Sequence, residues 1–343
     1  MVQAIVHELI QKKDFYFNEN VETIYFGGGT PSLLSNFDLS LIMDTIYKEY
    51  KVNPEAEITI ECNPEDISIE KLSHFKNIGI NRLSIGIQTF NNEVLRFLNR
   101  SHTSEQADLA VKLSKDLGFV NITIDLMYAL PGSNLDILHT DLEKAISLEI
   151  EHISAYCFTL EEKTAFGKMV KQNKLLKNED SVEQLHYEKL HKHLTDNGFE
   201  QYEISNFARN EKYSKHNTAY WLGRPYLGIG PGAHSFNESQ RQWNISNNAA
   251  YIQKIMMNDI AFEIETLTKN DIFNEGIMIH LRTKWGINSK LLFQQSEIDL
   301  FSAKQKEIEK LIVHGMVYKT DDHLFLTEKG KLLADGIIVE LMI

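Results

Sequence analysis

Five short, isoleucine-rich apolar runs recur about every thirty residues: "TIYFGGG" (23–29), "EITIEC" (57–62), "RLSIGIQ" (82–88), "NITIDLMYALPG" (121–132) and "HISAYCFTL" (152–160). Runs this short, bounded by turn residues, read as buried parallel strands. Between them lie segments of helical period, "LSLIMDTIYKEY" (39–50), "SIEKLSHFKNIG" (68–79), "EQADLAVKLSKDLG" (105–118) and "LDILHTDLEKAISLE" (135–149). Gly79 and Gly118 close two of them, where a left-handed C-cap costs least. Strands and helices alternating in this way are joined by right-handed crossovers that curl the sheet toward a barrel. The fold class is therefore α/β, a partial or full β/α barrel.

In such barrels the chemistry gathers at the carboxyl ends of the strands. The alternation stops near residue 165, and a mixed, aromatic-rich stretch follows, ending in "SKHNTAYWLGRPYLGIGPGAHSF" (214–236). Helices resume near 247, and "VYKTDDHLFLT" reads as a short hairpin among the last helices, the pattern of a small α+β winged-helix-like module. This divides the chain into a barrel at 1–165, a barrel extension at 166–246 and a C-terminal module at 247–343.

Winged-helix modules often bind DNA, but Lys and Arg number 35 against 48 Asp and Glu, a net charge of −13. That balance works against phosphate contact, so nucleic acid is excluded as a partner and the module is given a packing or interface role. No run reaches the roughly 18 to 20 apolar residues of a spanning helix, and "MVQAIVHELIQKK" lacks a basic-then-apolar signal pattern, so the expected location is cytoplasmic. Cys62 and Cys157 are the only cysteines, too few for a disulfide framework or a thiolate cluster.

Four strand ends carry residues suited to a ligand. Gly27, Gly28 and Gly29 leave backbone bare, Thr30 and Ser32 add hydroxyls, and Pro31 holds Thr30 extended; a tight strand-to-helix turn is the alternative. Glu61 either accepts hydrogen bonds from a ribose diol or caps a helix. Ser84, Gly86 and Gln88 alternate onto one inward face, where Gln88 is either a ligand amide or a satisfied core glutamine. Asp125 ends the fourth strand, and Arg96 or Arg100 could meet it or a ligand carboxylate. Together these describe a nucleoside-bearing ligand with an amino-acid-like head.

The stretches "YFGGGTPSLL", "ECNPEDI", "NRLSIGIQTFNNEVLRFLNRSHT", "IDLMYALPG", "YEISNFAR" and "HNTAYWLGRPYLGIGPGAHSF" resemble the radical S-adenosylmethionine (SAM) family of oxygen-independent coproporphyrinogen III oxidases and their HemW-type haem chaperones. The resemblance implies that Gly28, Gly29 and Thr30 hold the methionyl part of SAM, that Glu61 binds its ribose, and that Gln88, Arg100 and Asp125 are further cofactor-site residues. The family also has a first strand and a C-x3-C-x2-C loop whose thiolates hold a [4Fe–4S] cluster, and neither is found before "MVQAIVHELI". This implies a late-assigned start codon or a truncated reading frame, a barrel lacking its first strand, and an exposed sheet edge that favours aggregation or oligomers.

Within the family, "HNTAYW" resembles the signature of the haem chaperone branch, with His216 a candidate haem-iron ligand and Tyr220 and Trp221 flanking the porphyrin; a structural histidine packed by aromatics is the alternative. His234 is a second histidine, in a sequence that reads equally as a tight turn. The expectation is a haem chaperone using SAM and haem, rather than a coproporphyrinogen-decarboxylating enzyme or an inactive scaffold. Its partners would be haem-accepting proteins, respiratory enzymes among them, with a homodimer possible.

Overall fold

The computed structural model describes residues 1–14, 20–131, 134–160, 165–172, 175 and 178–343. The first half runs α1 (Val2–Gln11), β1 (Val21–Phe26), α2 (Asn36–Glu49), β2 (Val52–Cys62), α3 (Ile69–Asn77), β3 (Arg82–Gln88), α4 (Asn92–Phe97), α5 (Ser104–Asp116), β4 (Asn121–Tyr128), α6 (Leu135–Ser147) and β5 (His152–Cys157). Then come α7 (Ala165–Lys171), α8 (Asp180–Asp196), β6 (Glu200–Gln201), β7 (Asn206–Ala208), α9 (Lys215–Trp221), β8 (His234–Phe236), β9 (Gln240–Asn244), α10 (Asn248–Met256) and β10 (Phe262–Thr266). The chain closes with α11 (Lys269–His280), β11 (Ile287–Asn288), α12 (Ser289–Ser296), α13 (Leu300–Ala303), α14 (Gln305–Val313), β12 (Val317–Lys319), β13 (His323–Leu326), α15 (Glu328–Lys331) and α16 (Ala334–Leu341). Among the described residues no helix is long and apolar enough to cross a membrane. Gly132, at the end of the fourth expected strand, lies outside the described residues.

The main sheet has the order β1-β2-β3-β4-β5-β7-β6. β2 through β5 are joined by parallel ladders, and β7 adds to β5 antiparallel. This is the expected α/β partial barrel, extended at one edge by the short strands that follow α8. Helix boundaries have local causes. Thr103 and Gln106 form a capping box on α5, Ser68 caps α3, and Gly79 and Gly118 follow α3 and α5 at φ of 93° and 80°.

The chain divides into two compact units, residues 24–36 with 57–213, and residues 1–23, 37–56 and 214–343. In the first, Leu83, Ile85 and Ile87 of β3, Ile122 and Ile124 of β4 and Ile153 of β5 are buried, as are Leu72 and Phe75 of α3 and Leu138 and Leu142 of α6. The alternate positions are polar yet also buried: Glu57, Thr59, Arg82, Ser84, Thr123, His152 and Ser154. Strands covered on both faces usually read as continuous apolar runs, so this alternation marks one face as the lining of something other than a hydrophobic core.

That lining is hydrogen-bonded across strands. Thr123 Oγ1 lies 2.7 Å from His152 Nδ1, and His152 Nε2 lies 2.8 Å from the Tyr202 hydroxyl. Burial holds the His152 imidazole well below its usual pKa, and Arg82 adds to this. Arg82 itself is 1% exposed and reaches Glu57 at 3.9 Å.

In the second unit, Glu8 of α1 is fully buried and four donors converge on it. Lys12 Nζ (2.8 Å), Asn244 Nδ2 (2.7 Å), the Gly230 amide (2.8 Å) and the Tyr251 hydroxyl (2.6 Å) saturate the carboxylate. Ala4 packs beside it against Tyr251, Ile255 and Ala261. The C-terminal module has a three-stranded sheet, β11-β13-β12, whose hairpin pairs Val317 with Leu326. The hairpin falls among the last helices, as the sequence predicts, in a small α+β C-terminal domain.

Candidate functional site

The glycine triplet follows β1, and its members are glycine for two different reasons. Gly28 and Gly29 have φ of 78° and 67°, a region costly for side-chain-bearing residues, and a Cβ on either would meet nothing within 4 Å. A Cβ on Gly27 would lie 2.6 Å from the Tyr25 ring and 3.1 Å from Glu61 Oε1. The first glycine makes room, while the next two bend an exposed turn that faces open space.

Glu61 is fixed by that turn. The Tyr25 hydroxyl donates to Oε1 at 2.9 Å and the Gly28 amide donates to Oε2 at 3.1 Å. Burial and the adjacent carboxylate push the Tyr25 phenol upward, so it stays a donor. Thr30, half-buried at φ −142° and ψ 83°, precedes Pro31, which opens a single helical turn. Ser32 departs from the expectation that it sits beside the ligand. It is 1% exposed and donates to Asp66 at 2.7 Å, while its carbonyl accepts from Lys71 Nζ.

The parallel register sets the next residues side by side. Glu61 pairs with Ser84, Gly86 with Asp125, and Asp125 with Ser154. Ser84 Oγ lies 3.4 and 3.3 Å from the two Asp125 oxygens. Desolvation raises the Asp125 pKa to about 6 against the opposing hydrogen bond from Ser154; Glu61 raises it further, while Arg82 and Ser84 lower it. The residue keeps some solvent contact, but protein surrounds its carboxyl closely.

Gln88 closes β3 where the ladder to β4 slips register, and its φ of 71° turns the chain sharply. A non-glycine residue in that conformation is strained. The turn lays its side chain over Gly86: a Cβ there would meet Gln88 Nε2 at 3.1 Å and Arg100 Nη2 at 3.4 Å. The loop carrying Arg100 is pinned by His102, whose Nε2 lies 3.1 Å from the Ile87 carbonyl and whose Nδ1 is 3.4 Å from Glu65. Arg96 does not approach Asp125; it is exposed and lies 4.0 Å from Glu93. The strand ends thus bring together Gly28, Glu61, Gln88, Arg100 and Asp125. Sequence reasoning missed Tyr25, Arg82, His102 and Ser154, and for the first and last the signal was present as alternate polar positions on β1 and β5.

In the other unit, α9 begins at Ser214, whose hydroxyl accepts from the Asn217 amide at 3.2 Å. His216 Nδ1 lies 2.8 Å from Thr23 Oγ1. Tyr220, one turn later and 40% exposed, meets the His216 ring edge-on at 5.0 Å and the Tyr226 ring at 4.3 Å, and Tyr226 lies 6.1 Å from Phe236. Burial pushes the Tyr220 phenol up to about 12. Trp221 is half-buried at the end of the helix. His234 is exposed, 6.3 Å from the Trp243 ring.

The mostly parallel β/α sheet, with glycines and a carboxylate at successive strand ends and a separate C-terminal module, belongs to a protein of the radical SAM class, as two family matches show. Residues 3–145 match the Radical SAM superfamily and residues 267–333 match the HemN C-terminal domain. The Bacillus subtilis protein named "Heme chaperone HemW" is 32% identical over 338 residues, 98% of this chain and 89% of its own length. Its Lactococcus lactis namesake is 32% identical, covering all of this chain and 90% of the relative. A mitochondrial protein of Danio rerio, "Radical S-adenosyl methionine domain-containing protein 1", is 30% identical over 94% of this chain and 76% of its own length. The structure of coproporphyrinogen III oxidase (HemN) from Escherichia coli, described as a radical SAM enzyme, superposes with a TM-score of 0.86 at 24% identity, over 99% of this chain and 82% of that one, and confirms the fold. The chain belongs to the HemW family.

Proposed function

We propose that this protein binds haem and delivers it to haem-accepting proteins, and that it holds SAM at the strand ends. The observation that carries the reading is near full-length similarity to relatives named heme chaperones, together with "HNTAYW" on α9. Haem is the cargo. His216 would ligate its iron through Nε2, with Nδ1 engaged by Thr23, and Tyr220, Tyr226 and Phe236 offer aromatic faces to a porphyrin.

For SAM, the residues present fit. Gly28, Gly29 and Thr30 offer backbone and a hydroxyl to the methionyl head, and Glu61, already oriented by two donors, accepts from the ribose. Gln88, Arg100 and Asp125 would complete the site. Bound SAM would supply a sulfonium centre, and the residues of this chain position it.

A [4Fe–4S] cluster does not fit the thiols of this sequence. Cys62 is buried on β2, its thiol pushed well up by burial, and Cys157 is half-buried on β5. Two such cysteines do not furnish three thiolates.

The test is a haemin titration of the purified chain and its His216→Ala variant, followed at the Soret band. Saturable binding weakened tenfold or more in the variant is expected. Equal titrations would overturn the assignment of His216, and no saturable binding by either would overturn haem delivery itself. Respiratory haem proteins are the acceptors to try first, and size-exclusion chromatography with and without haem tests a homodimer.

A further inference from the structure

Away from the strand ends, α6 and α8 pack along their apolar sides, where Leu138, Leu142, Leu190 and Leu194 are buried. On the outer side of this pair, His139 and Glu143 stand one turn apart on α6, and His193 of α8 faces them. One ligating atom from each of the three lies within 4.8 Å of the others.

The geometry points to a site for a first-row divalent transition metal, zinc by preference, held by His139, Glu143 and His193. Two imidazoles and a carboxylate are a borderline donor set of the kind that selects zinc over magnesium or calcium. Residues four apart on a helix present side chains to one point, and the third ligand comes from the neighbouring helix. Zinc bound at about 2.1 Å places its donors about 3.4 Å apart. Glu143 Oε1 and His193 Nε2 already stand 3.3 Å apart. The rings of His139 and His193 meet edge-on at 5.5 Å and 83°, a spacing from which each can turn one nitrogen toward a shared ion.

His193 is itself incompletely satisfied. Its Nε2 is shielded from solvent, and among the described residues it has no hydrogen-bond partner; the Glu143 oxygen is near enough to attract it but misaligned. A metal would satisfy this nitrogen and both partners at once. His139 and Glu143 are exposed, so they can adjust without disturbing the core, and the remaining coordination positions would go to water. Bridging two helices, the ion would clip α6 to α8.

The test uses the full chain stripped by a chelator and dialysed against zinc chloride. Wild type is expected to hold one zinc more per chain than the His139→Ala/His193→Ala double variant, so zinc bound elsewhere cancels from the comparison. Cobalt should give the intense visible bands of a tetrahedral site in wild type only. Zinc should also raise the melting temperature of wild type more than that of His139→Ala, an exposed change that keeps the test valid if replacing His193 loosens the helices. Equal stoichiometry and equal zinc-induced shifts in wild type and variants would overturn the proposal.

Discussion

Replacing Glu61 with glutamine tests whether the strand ends hold a ribose. A carboxylate offers about four lone-pair sites on two oxygens. The Tyr25 hydroxyl and the Gly28 amide take one on each, leaving one per oxygen for a vicinal diol. In Glu61→Gln one oxygen remains an acceptor and the other becomes an amino group, so the ligand loses one hydrogen bond to a charged acceptor. Such a bond contributes about 1.5–3 kcal/mol, or roughly a 10- to 150-fold rise in Kd. The turn is loosened too, since Gly28 or Tyr25 also loses its acceptor, and a lower affinity alone would not separate the two effects. Calorimetric titration of both proteins with SAM and with its 2′,3′-dideoxy analogue closes a four-way cycle. The substitution should weaken SAM binding strongly and binding of the analogue by less than about threefold. Equal penalties on both ligands would refute direct ribose contact and leave Glu61 as a brace for the glycine turn.

The turn makes its own predictions. Gly28→Ala and Gly29→Ala should each cost about 1–2 kcal/mol in urea denaturation from backbone strain alone, because their Cβ positions are open. Gly27→Ala should cost more, since it displaces the Tyr25 ring; equal costs at 27 and 28 would contradict the two-reason account. Asp141, 4% exposed, accepts from Thr89 Oγ1 at 2.6 Å and the Phe90 amide at 2.7 Å, yet desolvation raises its pKa to about 6. A carboxyl so raised stabilises the fold below the unfolded value near 4, and that contribution is lost as pH rises through 6, a difference of about 3 kcal/mol. Asp141→Asn should therefore gain on wild type between pH 4 and pH 7, and a pH-independent difference between the two denaturation curves would be the contrary result. Glu8→Ala leaves four donors without their acceptor and should destabilise by about 3–5 kcal/mol, read from the denaturation midpoint.

The strands and their order were legible because each apolar run is short and followed by an amphipathic helix, and β3 spans the expected 82–88. The strand-end positions of Gly28, Glu61, Gln88 and Asp125 were legible because each follows a short apolar run. Arg82 was not, since it begins its strand and the polar lining it serves is assembled from four strands by register, a long-range fact. Thr23 and Tyr25 alternate on one face of β1, which marks them as lining residues, but their partners lie 193 and 36 positions away and no local pattern names them. Ser32 stands two residues beyond Thr30, which borders the exposed turn, but its own hydroxyl is claimed by Asp66 from the next β/α unit, a partner that sequence does not show.

The convergence on Glu8 has a kinetic consequence. Gly230 and Gly232 take positive φ values of 106° and 69° in a stretch without regular secondary structure, where backbone amides commonly lack a helix or ladder partner. The Gly230 amide is instead clamped by a buried carboxylate that Lys12, Asn244 and Tyr251 also hold. It meets solvent deuterium only when its bond to Glu8 breaks, so the exchange rate at this one glycine reports how often α1 and the Gly230 turn separate.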